Sequence, residues 1–196
     1  MRKLIVSEFV SVDGVMEAPG GEEGYKHTGW VLAFPHDPGQ ARYKLDEVLD
    51  AEAQLLGRVT YEGFAAAWPE RGGEFADKMN SMPKYVVSST LEEPLEWNNS
   101  TLLTGDVAEE VSQLKQGEGG DILVAGSRTL VQTLVEHDLI DEYRLMVFPI
   151  MLGSGRRLFP DDAADTIPLR LVDSKIFDSG VAVHTYHPVR DREGES

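Results

Sequence analysis

The chain has 196 residues, no cysteine, 18 lysines and arginines against 34 aspartates and glutamates, and a net charge of −16. This length suits one domain, and 41% hydrophobic residues can fill a core. Zero cysteine excludes a disulfide framework, a Cys-ligated zinc, an iron–sulfur cluster and a cysteine nucleophile, while the acidic balance argues against nucleic acid and anionic membranes as partners. A small anionic ligand held by a few local arginines stays open.

Residues 2–10 alternate into an N-terminal strand that runs to the Asp13-Gly14 turn signal, and the glycine-rich stretch from Pro19 to Gly24 reads as loop. Gln40–Leu49 has helical spacing, with Asp46 and Glu47 on an exposed face. Ala53–Leu56 is a buried strand ended by Gly57, and Arg58–Trp68 is a helix closed by Pro69. Strands follow at Lys84–Ser88 and Thr101–Leu103. Asp106 caps a helix, with Glu109 three residues on. Ile122–Val124 is a strand, Ser127 opens a helix, and Glu142–Met151 reads as a long strand. Leu169–Phe177 and Val181–His187 form a hairpin around Asp178-Ser179-Gly180.

Strands alternating with helices, then a terminal hairpin, predict a single α/β domain over residues 1–190, with a mixed sheet flanked by helices and a polar tail at 191–196. Glu8 breaks the apolar run after Arg2-Lys3, and the longest run, Leu145–Leu152, contains Pro149. No signal or spanning helix is therefore expected, and a cytoplasmic location is.

None of the histidines (27, 36, 137, 184, 187) forms HExxH, and no metal site is expected. Two turns carry more chemistry: Leu56-Gly57-Arg58-Val59-Thr60 and Ala125-Gly126-Ser127-Arg128-Thr129. Each leads a buried strand through glycine into a helix. A helix start offers unpaired N–H groups and partial positive charge, and arginine adds a fork of donors to phosphate oxygens. Such a junction is also ordinary punctuation between elements, so the pair matters more than either alone. Asp13 reads either as a turn former or as an acid near a substrate. Trp30 reads as a core residue or an aromatic wall. Arg156 and Arg157 read as solvent-facing or as a phosphate subsite.

Gly57-Arg58-x-Thr60-Tyr61-Glu62, then Val86-Val87-Ser88-Ser89, then Ala125-Gly126-Ser127 resemble, in that order, the cofactor-binding turns of dihydrofolate reductase. Ser11-Val12-Asp13-Gly14, Leu139–Glu142 and Pro149–Phe159 are more similar to a sister group, the C-terminal reductase domain of the riboflavin-biosynthesis deaminase/reductase. The resemblance covers about residues 2–187 and implies a dihydrofolate reductase-like fold that binds NADPH. It implies that Gly57, Arg58 and Thr60 hold phosphate, that Ser88 and Ser89 lie near the 2′-phosphate, and that Gly126, Ser127, Arg128 and Thr129 cradle the pyrophosphate. On the residues' own chemistry, Asp13 is the catalytic candidate, binding a substrate hydroxyl or amine or relaying a proton, and Trp30 and Arg156 are candidates to meet the substrate.

The activity implied is reduction of a small heterocyclic or sugar-linked molecule, like 5-amino-6-(5-phosphoribosylamino)uracil, by a homodimer with Glu142–Met151 at its interface. Dihydrofolate reduction is an alternative, weakened because none of Asp37, Asp46 and Glu47 matches the pterin-binding acid. A non-catalytic nucleotide-binding protein is another. The riboflavin pathway itself is doubtful, because its fused deaminase needs zinc-binding cysteines.

Overall fold

Alternating apolar residues bury all of β1 (Leu4–Ser11) except Phe9, and the sheet is built outward from this strand. The computed structural model describes residues 1–22, 24–159 and 166–190. After β1 come a 3₁₀ turn (Trp30–Ala33), α1 (Pro38–Asp50), β2 (Ala53–Gly57), α2 (Arg58–Ala67), α3 (Glu74–Ser81) and β3 (Lys84–Val87). The chain continues through β4 (Ser100–Leu103), α4 (Val107–Gln116), β5 (Ile122–Ala125), α5 (Arg128–Glu136), β6 (Glu142–Phe148), β7 (Leu169–Ile176) and β8 (Ala182–Pro188).

The strands lie in the order β4-β3-β2-β5-β1-β6-β8-β7, the first six parallel and the last two forming the expected antiparallel hairpin. Period-two alternation divides the core. Leu4, Val6, Leu55, Ile122 and Val124 face Val111 of α4 and Leu130, Val131 and Leu134 of α5. Ile5, Leu56, Val86 and Leu123 face Val48 of α1, Tyr61 of α2 and Met79 of α3. Each fully buried Val or Leu contributes about 1.5–3 kcal/mol. A third cluster, with Val15, Trp30, Phe148 and Phe177, lies where the loops after β1 and β6 meet the hairpin.

Local chemistry sets the boundaries. Asp37 accepts the N–H groups of Gly39 and Gln40 at 2.8 and 3.1 Å and starts α1 two residues earlier than its apolar spacing suggests, with Pro38 pre-set at the first helical position. Asp106 caps α4 as expected, accepting Glu109 N–H at 3.0 Å. β6 stops at Phe148 rather than Met151, because Pro149 has no N–H and Ile150 turns back to the Phe148 carbonyl. β6 also runs between β1 and β8, so the segment expected at a dimer interface has no open strand edge; among the described residues the sheet's edges are β4 and β7. Helix α3 escapes periodicity because only Ala76 and Met79 of its eight residues are buried. The predicted tail at 191–196 lies outside the described residues.

Lys84 is the least expected core residue. It is fully buried, and its ammonium donates to the carbonyls of Met82 (2.8 Å), Asn80 (3.1 Å) and Asn98 (3.1 Å). The nitrogen also sits 4.3 Å from the Trp97 ring centroid. Three protons meet three acceptors, which ties the end of α3 to the segment before β4. Burial lowers its pKa from 10.5 to about 8. Lys84→Met should lower stability by about 1–3 kcal/mol in urea unfolding at neutral pH. Because the folded pKa lies below the unfolded one, the wild type should gain stability relative to this variant from pH 8 to 10.5. A difference that stays constant across that window would contradict this account of Lys84.

Candidate functional site

β1 and β5 are neighbours whose connections leave on opposite faces, β1 into α1 and β5 into α5. In an open α/β sheet such a point leaves a crevice at the carboxyl ends of the strands. Here β5 ends at Ala125, level with Ser7, while β1 stays paired with β6 as far as Ser11 and Phe148.

The two glycine turns predicted to hold phosphate come together at this edge. Ser127 does not cap α5; it takes a left-handed conformation (φ 63°), and its hydroxyl accepts the Gly57 N–H at 2.8 Å. Gly126 N–H is committed to the carboxyl of Glu8 at 3.0 Å. Gly57 and Gly126 therefore offer missing side chains rather than free amides. A Cβ on Gly57 would come 3.3 Å from Ser127, and one on Gly126 (φ 61°) would come 2.8 Å from the Thr60 hydroxyl. The open donors are those of the first turns of α2 and α5, which carry neither a capping side chain nor an acidic residue. Thr129 lies exposed in that turn of α5. Arg128 donates through Nε to the Arg157 carbonyl at 2.7 Å, joining α5 to the loop after β6.

Arg58, Ser88 and Ser89 line one groove of about 430 Å³ together with Thr90, Thr104 and Gly105, at the ends of β3 and β4 and the start of α2. Arg58 is half-exposed and pairs with Glu62 at 3.0 Å one turn on. Ser88 is buried, and its hydroxyl accepts the N–H groups of Thr90 (3.1 Å) and Leu91 (3.0 Å), shaping the groove wall. Thr104 and Gly105 carried no signal in the sequence, because their place in the groove follows from β4 pairing with β3.

The remaining predicted residues lie where the loops after β1 and β6 meet. Asp13 accepts from Ser11 Oγ (2.6 Å), Leu152 N–H (3.1 Å) and Gly153 N–H (2.8 Å). These bonds, the Ser11 one foremost, lower its pKa to about 2, so at neutral pH it is a carboxylate that clamps two loops. Arg157 Nε donates to the Asp13 carbonyl at 3.0 Å, and Val15 bridges Arg157. Arg156 is exposed and pairs with Glu17. Trp30 is only 4% exposed, packs edge-on to Phe148 and donates to the Glu17 carbonyl at 2.9 Å, so it belongs to the core beneath these loops.

Two buried acids alter the sequence reading. Glu47 was expected on an exposed helix face, yet it is 4% exposed. It accepts from Ser7 Oγ at 2.9 Å, pairs with Lys44 and lies 3.5 Å from Arg144, so cations already occupy it. Asp46, by contrast, is half-exposed and paired with Arg42. Glu8 is fully enclosed, and burial raises its pKa well above the ordinary carboxylate range. A charged residue inside an otherwise apolar strand was the visible signal.

Comparison with known proteins agrees with this architecture. Residues 2–183 match the family model described as the RibD C-terminal domain. The chain is 30% identical over 191 residues to the uncharacterized protein YyaP of Bacillus subtilis (strain 168), covering 95% of each. It is 29% identical over 183 residues to YwjB of the same organism, covering 93% of this chain and 97% of that one. Among solved structures, a candidate riboflavin biosynthesis protein from Shewanella sp. PV-4 superposes with a TM-score of 0.73 at 23% identity, over 96% of this chain and 99% of that one. A pyrimidine reductase-like protein from Corynebacterium diphtheriae gives 0.66 at 12% identity, over 97% and 93%. The fold is the dihydrofolate reductase-like one that the motifs implied, and the chain belongs to the RibD C-terminal domain family.

Proposed function

We propose that this protein is an NADPH-dependent oxidoreductase that reduces a small heterocyclic or sugar-linked substrate. The observation that carries the reading is the convergence of Arg58, Ser88 and Ser89 on one groove, beside two helix starts that no side chain caps. A guanidinium with hydroxyl donors suits the adenosine 2′-phosphate, and the first-turn amides of α2 and α5 suit the pyrophosphate. Gly57 and Gly126 let the two turns pack against each other, Gly57 on Ser127 and Gly126 on Thr60, with no room for a side chain on either.

Bound there, the cofactor supplies a hydride; the protein supplies orientation and exclusion of water. Ser11, Asp13 and the amides of Leu152 and Gly153 hold the two loops that border the crevice beyond the end of β5. Asp13 is therefore a positioning residue. Membership of the RibD C-terminal domain family supports a reductase, and the buried acid of α1, Glu47, is already paired with Lys44 and Arg144 rather than held open for a pterin.

Titration of the purified protein with NADPH and NADH tests the reading. Arg58→Ala should weaken NADPH by about tenfold or more and leave NADH nearly unchanged, as expected for loss of charge-assisted bonds to one phosphate. Equal losses would remove Arg58 from the 2′-phosphate, and no NADPH binding at millimolar concentration would sink the reductase reading. Binding without hydride transfer to any pterin or pyrimidine would favour a nucleotide-binding protein instead.

The macromolecular partner in this reading is a second copy of the chain, seated on β7. Among the described residues that strand of eight is a sheet edge, exposing Leu171, Val172 and Ile176. Antiparallel pairing about Ser174 sets Asp173 opposite Lys175 of the partner subunit, and the reciprocal pair with it. Light scattering should give twice the 21.7 kDa chain mass, and Ile176→Lys should return it to one. A monomeric wild type would overturn this contact.

A further inference from the structure

The upper half of β1 carries a carboxyl group that the proposed reaction does not use. Glu8 points to the α5 side of the sheet with Leu4, Val6 and Val10, and is 4% exposed. Because β5 has already ended level with Ser7, Glu8 has no strand residue beside it on that flank. Its side chain reaches across instead, and Oε2 accepts the Gly126 N–H at 3.0 Å. The other oxygen, Oε1, is buried and has no hydrogen-bond partner among the described residues.

The surroundings do little to compensate a charge. On the other flank the facing residue is Leu145 of β6. Lys44 and Glu47, both on α1, act on Glu8 in opposite senses. Arg128, at the start of α5, is committed to the Arg157 carbonyl. Burial outweighs these influences and favours the neutral acid. Glu8 thus occupies the amide that leads into α5, next to the first-turn donors available to an anion. A carboxylate there would repel any phosphate seated on those donors, and the burial of Glu8 leaves that repulsion weakly screened. A neutral carboxyl does not repel it, and its hydroxyl turns the orphan oxygen's group into a donor.

We infer that Glu8 makes anion binding at the paired glycine turns proton-coupled, a phosphate group seating at the start of α5 only when Glu8 is protonated. The inference rests on the cofactor reading for its physiological ligand, while its chemistry applies to any phosphate anion. Glu8 is accordingly a positioning residue with a titratable state, not a proton donor in the reaction.

Calorimetry in two buffers of different protonation enthalpy tests this, with NADPH and inorganic pyrophosphate titrated separately from pH 6 to 9 into wild type and Glu8→Gln. The amide keeps a carbonyl for Gly126 and removes the titration. Below the Glu8 pKa the two proteins should take up the same number of protons; above it the wild type should take up about one more per bound ligand than Glu8→Gln, a comparison that cancels the ligand's own ionisation. Above the Glu8 pKa, wild-type affinity should fall about tenfold per pH unit relative to the variant. Equal proton uptake and a constant affinity ratio in the two proteins on both sides of the Glu8 pKa, read from its carboxyl NMR shift, would overturn the inference and leave the cofactor reading intact. Glu8-dependent uptake with pyrophosphate but no NADPH binding would do the reverse. Binding of neither ligand by the wild type would overturn both. Should Glu8→Gln fail to fold, Glu8→Leu keeps the buried volume and is expected to show the same missing proton.

Discussion

The insertion of β5 between β1 and β2 governs the rest of the structure. It is the second-to-last parallel strand in sequence, yet it lies at the centre of the sheet, and its four residues are shorter than the eight of β1. The early end of β5 opens the crevice, and the divergence of α1 and α5 to opposite faces keeps it open. Pairing of β2 with β5 brings their two turns into contact, where Ser127 locks onto Gly57. Without that insertion the turns would be separate helix starts with no common ligand.

The electrostatics follow from the same geometry. With a net charge of −16, the molecule repels anions at long range, so any anion must be held by local features. Helices α1 and α4 satisfy their first amides with Asp37 and Asp106. Helices α2 and α5, at the carboxyl edge beside the groove, have no acidic residue in the first turn and no capping side chain. The acidic chain therefore leaves its positive helix ends uncovered where the proposed cofactor phosphates would lie. Asp13 is acidic and close to this edge, but its charge is taken up by three donors within the loops.

Most of the fold was legible because it rests on period. Alternation marked β1, short apolar runs marked β2, β3 and β5, cap chemistry marked α4, and the turn at Asp178–Gly180 marked the hairpin. Short α3 was not legible, since two buried residues make no pattern. Helical spacing also could not show that Glu47 faces Ser7 and Arg144, because its burial depends on the strands beneath it. In the site, the glycines were expected to let a phosphate approach the helix starts closely; the structure commits their N–H groups to Ser127 and Glu8 and fits each glycine against a neighbouring side chain. Such long-range polar contacts leave no local trace in the chain. Thr104 and Gly105 were missed for the same reason, as strand pairing alone carries them to Arg58.

The central claim is that one continuous anion site runs along the carboxyl edge from the Arg58–Ser89 groove to the start of α5. The most direct measurement is an amide-resolved NMR titration of the isotopically labelled protein with NADPH. Shifts should concentrate at Arg58–Thr60, Ser88–Thr90, Thr104–Gly105 and Gly126–Thr129 and saturate together. Shifts confined to other parts of the surface, or saturation of the two turns at different concentrations, would contradict a single site.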